Sequence, residues 1–534
     1  MSLARNTFVQ ASLTLASRIL GFARDLVANA HFGGQGPLMD AFATALMFPN
    51  LFRRLFAEGA FAQAFVPIYA KDRAEHGEES ADRIASEAMS FLLWVVAGFC
   101  VVAQVAMPLL MPYLLSAYAN QPELLATATL MTQLTMPYLA CMTLASLLSG
   151  VLNTMGRFAL SAGVPTLLNL CTIAALLLAP SQHDAAIWVA TSVTIAGFLQ
   201  AGLLWWGARR VGARLRFGLP RVTPAVGRVL MLAIPGVLAG GATQINSLVS
   251  QFLTGSDEGA RSVLYNSDRL YQLPLGLIGV AVGLALVPRL SRHHAAGEVE
   301  QGAAAMDDAI GLSMALTVPA AIAYLVMPYF IIDATVTRGA FTHADAHRTA
   351  EVLRQFAWGV PAFVLAKVFT PPFFARQDTK RPMQFAVTSV VVNTILGATL
   401  FFTLPRFGID GVIGMGVATS LAGWFNVIML SSTLAREGTY RVSAKAWARF
   451  MRLGIACAIM AAFAGYCALN YDLLRHIFHR KEFAILAVAA GAFLIYAIAA
   501  LALRAISLSE IRGALRREKG PPAPEGGLPP SLDG

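Results

Sequence analysis

The sequence predicts an all-α polytopic membrane protein with about fourteen transmembrane helices, and three observations carry that reading. Charged residues make up only 13% of the 534, against 57% hydrophobic, and the mean hydropathy is +0.61. Apolar runs long enough to span a bilayer, about 20 residues each, recur along the whole chain. Lysine and arginine gather in alternate connections between those runs. A soluble domain carries about 25% charge, so this composition leaves too little polar surface for a water-exposed globule. It excludes a soluble enzyme, a secreted disulfide scaffold and a disordered chain.

The candidate spans lie near 7–32, 37–70, 83–113, 123–153, 159–179, 184–209, 223–254, 262–291, 303–332, 346–372, 383–404, 410–434, 446–469 and 483–506. The first two are the weakest by hydropathy, because they hold Arg18, Arg24, Asp25, Asp40, Arg53, Arg54 and Glu58. They are retained because their other residues are apolar and their charges recur on limited faces. No apolar leader precedes the first span, so that span is expected to stay in the membrane. The connections after even-numbered spans hold most of the cations, including Lys71, Arg73, Arg209, Arg210, Arg214, Arg216, Arg376 and Arg381. The positive-inside rule then puts both termini in the cytoplasm. Much of the net charge of +10 is therefore a topology signal rather than a nucleic-acid footprint. The five cysteines fall inside apolar runs and read as small core residues. Beyond Lys519 the Pro- and Gly-rich sequence is expected to be a disordered tail.

Helix breakers repeat at an offset of 221–225 residues: Pro49 with Pro274, Pro67 with Pro288, and Pro137 with Pro361. Asn169 with Asn393 and Arg157 with Arg381 keep the same offset. The pattern reads as two six-helix lobes in parallel repeat, 1–209 and 223–434, followed by a helix pair at 446–506 and a cytoplasmic tail at 507–534. Repeats of one orientation are related by an axis along the membrane normal, with a binding site between them near the midplane.

Arginine at the centre of a membrane helix costs about 2.5–3.5 kcal/mol on insertion scales, so an arginine kept there is a functional candidate. Arg18, Arg24, Arg53, Arg54 and Arg269 all lie within spans one, two and eight. Arg18 and Asp25 share a helix face, Asn50, Arg54 and Glu58 line another, Asp268 precedes Arg269, and Asp40 stands alone. Arginines outnumber acids in this set. A cavity with surplus guanidinium suits a phosphate- or carboxylate-bearing ligand, which the planar fork binds bidentately. His343-x-Asp345-x-His347 has metal-like spacing, but Thr342-x-x-Asp345 reads as a helix capping box, and no metal site is assigned. No P-loop or nucleophile elbow is present, and no enzymatic activity is expected.

The segments SRILGFARD (17–25), MDAF (39–42), FPNLFRRLFAEGAFAQAFVPIYA (48–70), LNTMGRF (152–158), PTLLN (165–169), SDRLYQLPLGLIGVA (267–281) and FARQDTKRP (374–382) closely resemble the MurJ/MviN lipid II flippases. That family belongs to the multidrug/oligosaccharidyl-lipid/polysaccharide exporter superfamily, and the resemblance covers about residues 1–510. It implies transfer of lipid II, the undecaprenyl-diphosphate-linked peptidoglycan precursor, from the inner to the outer leaflet of the bacterial inner membrane. It also implies that the residues needed for transport are Arg18, Arg24, Asp40, Arg53 and Arg269; Asp25, Asn50, Arg54, Glu58 and Asp268, read from their spacing, are expected to be secondary in the cavity. The terminal helix pair is implied to hold the prenyl tail, where Gly454-x3-Ala458 and Ala461-x3-Gly465 offer close packing. Met47 stands where some relatives carry a lysine, so the cavity is one cation poorer. Some relatives hold sodium in the second lobe. Asp378 lies near that region, but Phe374 one turn earlier offers no ligand, so the site is not carried over.

The expected partners are lipid II and membrane lipids, with cell-wall synthesis proteins as candidates and a monomeric chain; nucleic acid is not expected. No cofactor is expected, and coupling to the membrane potential or a monovalent ion is left unassigned. Two other readings are weaker. A drug/cation antiporter of the superfamily predicts acid-rich lobes, against the arginine surplus. A membrane enzyme acting on lipid-linked sugars predicts catalytic acids at a membrane face or a large extramembrane domain, and neither is evident.

Overall fold

The computed structural model describes residues 3–52, 60–224, 226–231, 247–275, 298–376 and 378–506, and among them no strand is present. The first half runs α1 (Leu3–Phe32), α2 (Pro37–Phe52), α3 (Ala60–His76), α4 (Glu78–Leu114), α5 (Pro122–Thr135), α6 (Tyr138–Thr154), α7 (Phe158–Gly163), α8 (Pro165–Leu178) and α9 (Gln182–Arg210). Helical residues 247–254 and 260–275 are α10 and α11. The second half runs α12 (Val299–Val326), α13 (Pro328–Thr335), α14 (His343–Ala357), α15 (Val360–Phe369), α16 (Pro371–Ala375), α17 (Lys380–Thr403) and α18 (Gly411–Arg436). Then follow α19 (Ala444–Leu469), α20 (Tyr471–Phe478) and α21 (Lys481–Ala502).

Among the described residues, ten helical segments are long and apolar enough to cross a membrane, and they match the third to sixth and ninth to fourteenth expected spans. The first expected span is the 30-residue α1. The second, seventh and eighth fall partly outside the described residues.

Local chemistry fixes the helix ends. Pro37 opens α2, where its missing N–H costs nothing. Ser181 and Ser443 accept from the backbone of Asp184 and Ala446 at 3.1 Å to cap α9 and α19. Asp410 caps α18 through Val412 at 3.0 Å. Thr342 and Asp345 form the expected capping box at the start of α14. Prolines also break spans that the hydropathy pattern reads as continuous. The fourth bends at Met136–Pro137 between α5 and α6, and the tenth at Trp358–Gly359 between α14 and α15. The ninth, expected over 303–332, stops at Val326 and restarts at Pro328.

The same packing order occurs twice. In the first half α9 packs on α5, α6 and α8, while α4 packs on α5 and α6. In the second half α18 packs on α14, α15 and α17, while α12 packs on α14 and α15. Asn169 on α8 and Asn393 on α17, matched by the sequence offset, are both buried. The last helices, α19 and α21, pack on each other and join the second set through α12 and α13.

Lipid tails are as apolar as leucine, so close packing rather than burial from water holds such helices together. A Cβ at Gly411 would lie 2.4 Å from the carbonyl oxygen of Phe401, and one at Gly197 2.7 Å from the Tyr138 ring. The expected small-residue face of α19 is not used in this way throughout. Gly454 and Ala458 are exposed, while Leu453, Ala456, Cys457 and Met460 make the buried face.

The link after α9 is extended and laid along α4. The backbone N–H groups of Arg214, Arg216 and Gly218 donate to Asp82 Oδ2, Ser86 Oγ and Ser90 Oγ at 2.6, 3.0 and 3.0 Å. Two residues of extended chain advance about 6.6 Å and four residues of helix about 6.0 Å, so the two repeats stay in step.

Candidate functional site

The charged seam lies where α1 and α2 of the first half meet α11. Asp25 on α1 is its centre, with only 7% of its side chain exposed. Its Oδ1 accepts from Arg24 Nη2 at 2.7 Å and Nε at 3.0 Å. The same oxygen accepts the Tyr265 hydroxyl of α11 at 3.0 Å, and Oδ2 pairs with Arg269 Nε at 3.2 Å. Arg269 Nη2 donates back to the Tyr265 oxygen at 3.1 Å, and its guanidinium lies 5.0 Å from that ring's centre. Arg24 also reaches Asn169 Oδ1 at 3.4 Å, which ties α1 to α8.

Two guanidinium groups thus share one carboxylate, and the cluster carries a net positive charge. Burying charge is tolerable only when it is paired and hydrogen-bonded, and the surplus cation makes an incoming anion favourable. Arg269 keeps 27% side-chain exposure against 7% for Arg24, so it is the more accessible of the two. One turn along, Asn29 and Asn266 exchange reciprocal amide hydrogen bonds, both at 2.8 Å.

Asp40 does not stand alone. It is buried, and its Oδ1 accepts from the Ser262 backbone at 2.8 Å and from the Ser262 hydroxyl. Its Oδ2 accepts from the Gly259 backbone at 3.0 Å and the Tyr118 hydroxyl at 2.9 Å. A side chain of α2 therefore caps α11. Burial and the adjacent Asp40 carboxylate hold the Tyr118 phenol above its ordinary pKa, so it remains a donor. Beside it Arg261 is fully buried and donates to Thr44, Gln251 and the Leu114 carbonyl, the last at 2.6 Å.

The structure brings together Arg24, Asp25 and Arg269, with Asp40 of α2 in a neighbouring network that shares α11. Arg18 does not join them: it is exposed. Seven residues of helix advance about 10 Å, so a shared face does not give contact. Asp268 hydrogen-bonds Gln272 rather than Arg269, and Asn50 is half-buried near the end of α2. Arg53, Arg54 and Glu58 lie outside the described residues. Sequence reasoning missed Tyr265, Asn29, Asn266, Tyr118 and Arg261. The first four are neutral polar residues. Arg261 falls just outside the expected eighth span and counts there as a loop charge.

The His343, Asp345 and His347 side chains do not converge on one another, although both histidines touch Tyr329. His343 Nδ1 lies 2.9 Å from the buried Asp333, His347 stacks on Tyr329, and Asp345 serves the capping box.

Membrane-length helices packed in two like sets around a buried, arginine-rich seam define a polytopic membrane transporter. The family model of the lipid II flippase MurJ matches residues 29–501, and the chain belongs to that family. Probable lipid II flippases of Rhizobium meliloti and Rhizobium tropici are 37% and 36% identical, each match covering 97–98% of both chains. The lipid II flippase of Burkholderia cenocepacia is 30% identical over 88% of this chain and 91% of its own. Among solved structures, a lipid II flippase MurJ in an inward closed conformation superposes with a TM-score of 0.76 at 24% identity, over 93% of this chain and 99% of that one. An inward-facing multidrug-resistance transporter of the MOP superfamily gives 0.65 at 12% identity, over 80% of this chain and 98% of that one, and shares the fold.

Proposed function

We propose that this protein is a lipid II flippase, moving the undecaprenyl-diphosphate-linked precursor across the bacterial inner membrane by alternating access. The observation that carries the reading is the convergence of Arg24 and Arg269, from α1 and α11, on the single carboxylate of Asp25. That arrangement leaves guanidinium donors in excess, and a diphosphate is the ligand class they fit. Family membership supports lipid II as its bearer.

The recurring packing order supports lobes at 1–209 and 223–434, with the seam between them and the 446–506 pair flanking the second. The cations of the even connections support cytoplasmic termini. Arg18 is assigned to the headgroup's entry path, Asp40 to closing the far end, and the terminal pair to the prenyl tail; Arg53 is taken as a transport residue on the family resemblance alone. The protein acts as a monomeric transporter, without cofactor or catalysis. Membrane potential can bias the cycle, at about 2.3 kcal/mol per elementary charge per 100 mV. A drug/cation antiporter would need an acid-rich seam and is disfavoured.

The test is depletion in the host with a leaflet-resolved assay of lipid II. Lipid II is expected to accumulate in the inner leaflet; undiminished arrival in the outer leaflet would overturn the reading.

A further inference from the structure

The turn between α1 and α2, Gly33–Gly36, is seated in a socket made by the second half of the chain. The Ala340 N–H donates to the Ala30 carbonyl at 2.8 Å. The Gly34 N–H donates to Asp345 Oδ2 at 3.2 Å, the same oxygen that closes the capping box by accepting from Thr342 at 2.7 Å. One turn further along α14, Arg348 Nη1 donates to Gln35 Oε1 at 3.0 Å and to the Glu258 carbonyl at 2.7 Å. Its remaining nitrogens hold Asp257 at 2.6 Å and Asp410 at 2.5 Å. Three carboxyl and amide side chains from three separate connections thus meet on one guanidinium that is largely buried. The fit admits no side chain at Gly34, where a Cβ would lie 2.4 Å from the Phe341 ring and 2.6 Å from Asp345 Cβ.

We propose that the first two turns of α14 are a latch: Asp345 and Arg348 hold the Gly33–Gly36 turn closed at the end of the bundle away from the termini, and their release lets that end open. This rests on the alternating-access reading, but on no particular substrate. A capping-box carboxylate has a lone pair to spare, so helix α14 keeps its own start when the turn departs. Arg348 likewise keeps Asp257 and Asp410 when it loses Gln35. The closed state is therefore favoured by a few hydrogen bonds and a steric fit, and the open state leaves no buried charge stripped of all partners, as a reversible gate requires.

The experiment is a distance measurement between spin labels at Gln121→Cys and Phe407→Cys, exposed residues on the two sides of this end. The protein is the full-length chain, its native cysteines replaced, in lipid nanodiscs without substrate. Arg348→Ala and Gly34→Ala are each expected to raise the ratio of long to short distances by about tenfold, the scale of a lost charge-assisted contact set. Arg354→Ala, whose partner is Glu351 on its own helix, is expected to leave the distribution alone. Gln35→Ala, which removes only the Arg348 contact across the seam, serves if Arg348→Ala does not fold. Distance distributions unchanged in Gln35→Ala and Gly34→Ala, even with lower thermal stability, would overturn the latch. Because no lipid II is present, failure here is distinct from failure of the flippase reading.

Discussion

Asp40 caps a helix to which it does not belong: its Oδ1 accepts the backbone N–H of Ser262 at 2.8 Å, across 222 residues of sequence. Losing a helix cap costs about 1 kcal/mol, and leaving buried donors unsatisfied costs about 1–3 kcal/mol more. Asp40→Ala is therefore expected to lower thermal stability in detergent and to abolish complementation of a depleted host. Asp40→Asn keeps one acceptor oxygen but turns its NH2 toward a backbone N–H, of Ser262 or of Gly259, and should recover only part of the stability. If Asp40→Ala were as stable as the parent, the capping role would be wrong.

Arg24→Ala and Arg269→Ala should insert normally yet fail to support growth, with lipid II retention by the purified protein reduced at least about tenfold, the scale of a lost charge-assisted contact. Arg269→Lys should recover little of this, because an ammonium cannot bridge Asp25 and Tyr265 while presenting a planar fork to phosphate. Complementation by Arg269→Ala would remove the anion-binding argument for that residue.

Asn29 and Asn266 satisfy each other. Asn266→Leu leaves the Asn29 Oδ1 without its donor, while Nδ2 keeps the Asp25 carbonyl at 2.8 Å, and should cost about 1–3 kcal/mol in thermal or denaturant unfolding. Replacing both by leucine should cost much less than the sum of the single changes. Additive losses in that double-mutant cycle would show that the two amides do not depend on one another.

Gly255 packs so closely that a Cβ there would lie 1.9 Å from the Leu114 carbonyl oxygen, a backbone atom that cannot swing aside. Gly255→Ala should cost about 1–3 kcal/mol, as overpacking does. It should also loosen the hydrogen bond from the Ala117 N–H to the Gly255 carbonyl, now 2.9 Å. Amide exchange at Ala117 is the measurement, and unchanged protection would count against the close approach.

Much of the fold is legible in the sequence because an apolar run of span length has few other fates. The exceptions are informative. A window average penalises α1 for Arg18, Arg24 and Asp25, although those charges are what the helix exists to carry. Hydropathy also runs past Met136–Pro137 and Met327–Pro328, because proline breaks a helix by geometry and not by polarity.

The site was half legible. Arginines and acids in apolar helices announce themselves by their cost, so Arg24, Asp25, Asp40 and Arg269 can be singled out as candidates from sequence alone. Their pairing is not legible there, because Arg18 and Asp25 share a face but stand about two helical turns apart, while Arg269 arrives from a helix over 240 residues later. Tyr265 and Asn266 carry no charge, so a search for buried ions passes over them, and only the fold shows that they face Asp25 and Asn29.

The ladder between α4 and the link after α9 has a consequence for how this chain can vary. The donors on the link are main-chain N–H groups, which every residue but proline supplies. The acceptors are the side chains of Asp82, Ser86 and Ser90. Natural drift should therefore pass freely through the exposed side chains at 214 and 216, though not the buried Leu215 between them, while stopping at three positions on a helix some 130 residues earlier. Proline is the one letter the link must refuse at 214, 216 and 218, and in this chain the first one comes at Pro220, just past the last rung.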